Sequence, residues 1–468
     1  MRKTNGDGGA VNGVSYRGVL RRVIFSTALT LAAGTCLSTS ATALATPLGP
    51  WLPSPPADLS VTGKNALNAQ VAVGPDGTTT VTWQRHNNVG KNSVQVATRS
   101  ATATTFSAPI NLSNPYQNAS NPHVAVGSDG KTTIVWLTAG KGGKSNVQAA
   151  TRAAGATKFS APIDLSTPGQ NADRPQIAVG PHGITTITWS RTNGHHYVVQ
   201  ATTRAAGATK FSTPTNVSKP DASASAAKVA IGPDGTTVII WARSLGMNEL
   251  VQASTRAAGA TKFSTPVAVS SPGVYGYDAQ VAVGPHGITT ITWTRYFDGL
   301  NSTPEAATRA ANATTFSTPV VLSAPGEGAN SPQVAIGPDG TSIITWSYVN
   351  GTNVMVRVAM CLAGSSTYST PIDLSAPGQD AFNQQIAVGP DGTTTIAWVH
   401  RAGQEIVQAT TRDAGTGVFS TPIDLSAPGQ SANGPQVAIG ANGTTGITWQ
   451  RSDGTNTIVQ AVTARPNR

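Results

Sequence analysis

Residues 71–83 read VAVGPDGTTTVTW, and close copies recur down the chain. The tryptophan that ends each copy falls at 83, 136, 189, 241, 293, 346, 398 and 449, at spacings of 51 to 53 residues. A fixed period of that size marks a repeat architecture with one supersecondary unit per copy. Each unit holds four strand-like pieces between turns. In the first they are residues 70–74, 78–85, 93–99 and 106–113. Two residues before each Trp stands a β-branched apolar residue: Val81, Ile134, Ile187, Ile239, Ile291, Ile344, Ile396 and Ile447. A spacing of two places that pair on one strand face.

Four short strands in about 50 residues fit a β-propeller blade. A string of sandwich domains would need roughly 100 residues per domain, and solenoid coils are shorter. The chain ends decide further. Residues 56–74, PADLSVTGKNALNAQVAVG, align without gaps to residues 371–389, PIDLSAPGQDAFNQQIAVG, with 11 identities in 19. The repeat region thus opens on a spare fourth strand, and it ends on a third strand at residues 458–465. That arrangement closes a ring and leaves no open sheet end. The fourth segments carry Pro109, Pro162, Pro214, Pro266, Pro319, Pro371 and Pro422. Proline cannot donate a ladder hydrogen bond, so these strands belong on the outer edge, and VAVG belongs innermost. The sequence predicts an all-β fold: an eight-bladed β-propeller with four antiparallel strands per blade, its N-terminal strand closing the last blade.

The repeats resemble the Pro-Asp-Gly (PDG) repeats of TolB-type and related WD40-like propellers of secreted bacterial proteins. The resemblance covers about residues 54–465 and rests on the strand, the PDG turn and the aromatic-ended strand that follows. It implies a propeller fold and protein or ligand binding. TolB-type propellers generally have fewer blades and an added N-terminal domain, and this chain departs from both. The sialidase Asp-box, S-x-D-x-G-x-T-W, is not met, because Gly77 follows Asp76 directly and Trp83 lies seven residues on.

The chain has 468 residues, 11% charged, with 49 Gly and 31 Pro. Thr, Ser, Ala, Gly and Val dominate, which favours strands and turns. Residues 1–45 read as an export signal: Arg17, Arg21 and Arg22, the apolar run of residues 23–34, then a small-residue cleavage site at Ala43–Ala45. The paired arginines resemble a twin-arginine signal; a general secretory signal fits equally. Residues 46–53 form a short linker, and 54–468 a single propeller domain. Without the first 45 residues, which carry five Lys/Arg and one acid, the chain holds 26 basic and 20 acidic residues. No basic run and no aromatic–basic interleaving marks a nucleic-acid surface. No apolar stretch after the signal is long enough to span a membrane. Cys361 is the lone Cys after the signal, and no Cys/His metal spacing occurs. The expected protein is secreted or at the cell surface, monomeric and without cofactor.

The acidic turn position reads Asp76, Asp129, His182, Asp234, His286, Asp339, Asp391 and Asn442. One carboxylate per turn does not make a calcium loop, which needs six to eight oxygens; turn capping is the reading adopted. Arg99, Arg152, Arg204, Arg256, Arg309 and Arg412 recur once per repeat. They are expected to be structural rather than a converging anion clamp. The Trp series and Phe106, Phe159, Phe211, Phe263, Phe316, Tyr368 and Phe419 are expected between blades. No G-x-S-x-G, H-E-x-x-H or phosphate-binding glycine loop appears.

The turns after the first and third strands barely change among repeats, whereas the loops after the second and fourth vary. In a meander the two variable sets share one face, and a repeat protein individualises the face that binds. The candidate ligand-binding residues on it are Tyr116, His195, His196, Tyr197, Tyr275, Tyr277, Tyr296, Phe297 and His400. The function expected is non-catalytic recognition of an extracellular glycan or protein. The alternatives are a glycoside-active propeller, using acids such as Asp173, Asp221, Asp278, Asp298, Glu327 and Asp380, or a structural cell-surface repeat protein. No catalytic or metal-binding residue is assigned.

Overall fold

The structure, a computed structural model, describes residues 53–465 apart from 193, 247, 297–301 and 416. The signal-like segment and most of the linker lie outside the described residues. Eight four-stranded antiparallel sheets follow one another along the chain. Blade 1 runs from an inner strand (Ala66–Val73) through Thr79–His86 and Asn92–Arg99 to an outer strand (Ile110–Asn111). Blade 8 takes its first three strands from Ala432–Ile439, Thr445–Ser452 and Thr457–Ala464, and its outer strand from Ala57–Asp58 near the other end of the chain. The inner strands touch their neighbours all round, blade 8 against blade 1 included. The fold is an eight-bladed β-propeller, closed as its sequence predicts.

The closure is laced at several points. Ala57 and Asp58 pair with Ala461 and Gln460, and Pro53, inside the expected linker, already bridges Ala464. The Leu59 amide donates to the Val459 carbonyl at 2.8 Å, and Asp58 meets the Arg451 guanidinium at 2.7 Å.

Blades pack through the repeated tryptophans, all fully buried. Trp136 lies against Val94 and Val96 in the third strand of the preceding blade. Trp83 does the same across the seam, against Val459, Ala461 and Leu59. Removing a side chain of that size from such a site costs about 3–5 kcal/mol, so the series is enough to hold the blades together.

Two details differ from the sequence expectation. The outer strands are only two residues long. Pro109 cannot extend the ladder, so serine hydroxyls take over on both sides: the Thr98 amide donates to Ser107 Oγ at 3.1 Å and the Val94 amide to Ser113 Oγ at 2.9 Å. This accounts for the recurrent Phe-Ser and Leu-Ser pairs. The inner strands begin four residues earlier than expected, at Ala66 in blade 1. There the register shifts between Leu67 and Gln70, so that Asn68 and Ala69 together oppose Trp83. Such a bulge breaks the period-two pattern by which a strand is recognised.

Candidate functional site

The antiparallel order places the turns after strands one and three on one face of the ring and the loops after strands two and four on the other. The constant face is chemically closed. Asp76 accepts the Thr78 amide at 2.9 Å and its hydroxyl at 2.7 Å, while Gly77 takes φ +80°. That is a capped turn, not a metal loop. Five of the six repeated arginines hydrogen-bond across a blade interface, whereas Arg412 donates to the Gly417 carbonyl of its own turn. Arg204 donates to Thr151 and Thr133 of the preceding blade at 3.1 Å each, and to Thr185 of its own at 3.0 Å. Its guanidinium lies over Phe211, 5.0 Å from the ring centroid. Arg256 repeats the set over Phe263. Grooves of about 730 and 700 Å³ do open between blades here, lined by Arg152 and Phe159 and by Arg256 and Phe263, so their walls are these structural pairs.

The other end of each inner strand carries the bulge. Its first residue is left-handed in every blade: Asn68, Asn121, Arg174, Ala226, Asp278, Ser331, Asn383 and Gly434, with φ between 50° and 61°. Only one is glycine, although left-handed backbone disfavours other residues. The backbone is therefore uniform while the side chain changes from blade to blade. The Asn68 amide group reaches Asn121 of the next blade at 3.4 Å, so neighbouring members of this ring meet.

Blade 5 departs most from the others. Tyr275 and Tyr277 stand two apart on its inner strand, hence on one face, and Tyr275 pairs directly with Tyr296 on the second strand. The three rings form one cluster, with centroids 5.8, 6.3 and 6.5 Å apart. Tilted and edge-on geometries suit the aromatic quadrupole. Gly276 sits between the two inner-strand tyrosines; a Cβ there would lie 3.1 Å from Val251 and 3.2 Å from Trp293. Carboxylates rim the cluster. Burial first, and then the Glu249 carboxylate, which hydrogen-bonds it, push the Tyr275 phenol up. Burial, then Asp278 beside it, does the same for Tyr277. Both phenols stay protonated near neutral pH. Beneath, Glu305 replaces the glutamine that pairs with Trp in blades 1, 4 and 8. It accepts Trp293 Nε1 and the Arg295 guanidinium, each at 3.0 Å. The arrangement offers two half-buried rings, Tyr275 and Tyr277, and the exposed ring of Tyr296, flanked by hydrogen-bond acceptors.

The remaining sequence candidates are dispersed. Tyr116 is 75% exposed on the loop between blades 1 and 2, and Tyr197 is exposed at the start of the third strand of blade 3, after His195 and His196. His400 is buried and presents no face. Phe297 and Asp298 lie outside the described residues. Four of the acids are engaged within the fold: Asp173 pairs with Arg174, Asp221 with Arg243 and Glu327 with Arg357, and Asp380 accepts the Val354 amide at 2.9 Å. In blade 6, Arg357 also binds Asp373 at 2.7 Å and lies 3.6 Å from the centroid of the Tyr348 ring. Burial, and then the hydrogen bond to Asp373, raise the Tyr348 phenol, so this net is occupied by its own members. No group of three or more His, Cys, Asp or Glu placed to hold a metal occurs among the described residues.

Sequence reasoning missed Glu249 and a second column, two residues after the left-handed position: Gln70, His123, Gln176, Lys228, Gln280, Gln333, Gln385 and Gln436. Its signal was available, since a column of six glutamines broken by one His and one Lys departs from the repeat.

No protein-family model matches the chain, and no curated protein matches it. Among solved structures it is similar to a lectin from Burkholderia pseudomallei, at 14% identity over 78% of this chain and 100% of that one, with a TM-score of 0.53. It is also similar to a polysaccharide lyase, at 10% identity over 85% and 90% of the two chains and a TM-score of 0.47. An intramolecular trans-sialidase from Ruminococcus gnavus matches at 10% identity over 73% and 92%, with a TM-score of 0.41. At these identities the likeness is one of fold.

Proposed function

We propose that this protein is an exported, non-catalytic propeller that binds a neutral glycan through the Tyr275–Tyr277–Tyr296 cluster on its variable face. The observation that carries the reading is the cluster itself: three tyrosine rings in contact, rimmed by Glu249 and Asp278. Aromatic faces take the apolar C–H face of a sugar ring, and carboxylates accept its hydroxyls. The same carboxylates disfavour an acidic sugar at this point. The signal-like residues 1–45 support an extracellular setting, the PDG turns support a place among PDG-type propellers, and the laced ring supports a monomer. A lectin among the similar structures is consistent with the fold serving this use.

The test is a glycan array on the chain freed of residues 1–45, followed by titration of the best ligand. Binding to neutral glycans is expected, weakened at least tenfold by Tyr277→Ala and retained by Tyr277→Phe. Unchanged affinity in Tyr277→Ala would overturn the site. Hydrolysis of the bound glycan, abolished by one acid-to-amide change, would overturn the non-catalytic reading.

A further inference from the structure

The column that begins at Gln70 lines the central channel. Its members lie on the eight inner strands, which close around the axis. They reach from blade to blade: Gln176 Nε2 stands 3.1 Å from His123 Nε2. A glutamine amide nitrogen only donates, so His123 accepts on Nε2 and keeps its proton on Nδ1. Burial, and then the charge of Lys228, lower the pKa of His123 to about 3, so it is neutral at ordinary pH. Lys228 holds the matching register position two blades on, opposite Ile240 as His123 is opposite Val135.

Lys228 is the unusual member. It is part-buried, and its ammonium has no hydrogen bond and no ion pair among the described residues. Burial lowers its pKa first; Asp278 of the next blade opposes this and Arg174 of the preceding blade adds to it, both from beyond ion-pair distance. Arg174 has a carboxylate of its own in Asp173, at 3.5 Å. An ammonium with no acceptor in contact is left to solvent or to a bound anion. Around it, Gln176 and Gln280 on the flanking strands carry amide N–H groups, and neutral His123 carries a ring N–H. The lining therefore supplies a positive charge with neutral donors around it, and Asp278 acts on that charge from beyond ion-pair distance.

We infer that the central channel binds a small oxyanion or carboxylate, with Lys228 as its charged anchor and the neighbouring glutamine amides as secondary donors. This site neighbours the tyrosine cluster through Asp278, which acts on both Tyr277 and Lys228, but it does not depend on the glycan reading. Inorganic phosphate and acetate are the probes, each titrated calorimetrically at constant ionic strength into the chain freed of residues 1–45. One-site saturable binding of at least one anion is expected. Lys228→Gln should weaken it at least tenfold; that change installs the residue found in six other blades, so the ring is expected to fold. Lys228→Arg should retain it, and Tyr277→Ala should leave it untouched. No saturable binding of either anion, equal affinity in Lys228→Gln, or loss in Lys228→Arg would overturn the proposal. Binding of phosphate alone, or of acetate alone, supports it and tells an inorganic oxyanion from a carboxylate-bearing molecule.

Discussion

The two ends of one inner strand follow opposite rules. At the turn end, residues 71–77 and their copies are nearly the same wherever Asp or Asn stands, because backbone and side chain are tied together: the side-chain oxygen caps the turn and the glycine supplies the positive φ. His182 and His286, expected to cap as well, do not, and are themselves left-handed at φ 53° and 54°. At the bulge end the backbone is as uniform, yet the residue that adopts it is Asn, Arg, Ala, Asp, Ser or Gly. The geometry there comes from the partner strand, where a buried Trp opposes two residues instead of one. A conformation imposed by packing leaves its own side chain free to vary. The rim of the channel can thus be individualised without altering the blade.

Three measurements break or sharpen this contrast. Trp241 packs blade 4 against blade 3 in the same cluster as Val199 and Ala201. Trp241→Ala is expected to lower the unfolding free energy by about 3–5 kcal/mol in denaturant titration; a cost near zero would mean the tryptophans do not set the frame. Next comes Arg256→Met, which strips three threonine hydroxyls of their donor and should cost about 1–3 kcal/mol. The smallest effect should carry the opposite sign. Ala226 is left-handed at φ 53°, so Ala226→Gly should stabilise by about 1 kcal/mol. Ala227→Gly, one residue on within the same strand, should destabilise by about 0.5–1 kcal/mol. If the two glycines behave alike, the bulge is not imposed by the opposing strand.

Much of the frame could be read from residues alone. Trp spacing gave the blade count, the spare strand at residues 56–60 gave the closure, and the prolines gave the outer edge, since each feature has one physical cause. The arginines and phenylalanines were assigned to structure, and the Arg204 and Arg256 clamps agree. The bulge escaped because its usual marker, glycine, is present in only one blade. The tyrosine cluster was half legible. Tyr275, Tyr277 and Tyr296 were all picked for loop variability, but their meeting follows from a cross-strand register that shifts at the bulge. The channel column was hidden because its members sit inside a regular strand, away from the loops whose variation marks the individual blades.

The pairing of Leu59 with Val459 joins residues about 400 positions apart. Bringing such distant segments together costs about 3 kcal/mol more than closing a 20-residue hairpin, because the entropy of closure grows with the logarithm of the span. Every other blade is built from local meanders. The seam is accordingly the last ladder to form during folding and the first to fray when the native ring breathes. Hydrogen exchange should find its slowest-protected amides in the middle blades and its earliest opening at the eighth. The device that abolishes sheet edges in the finished ring thus concentrates the molecule's kinetic weakness in a single latch.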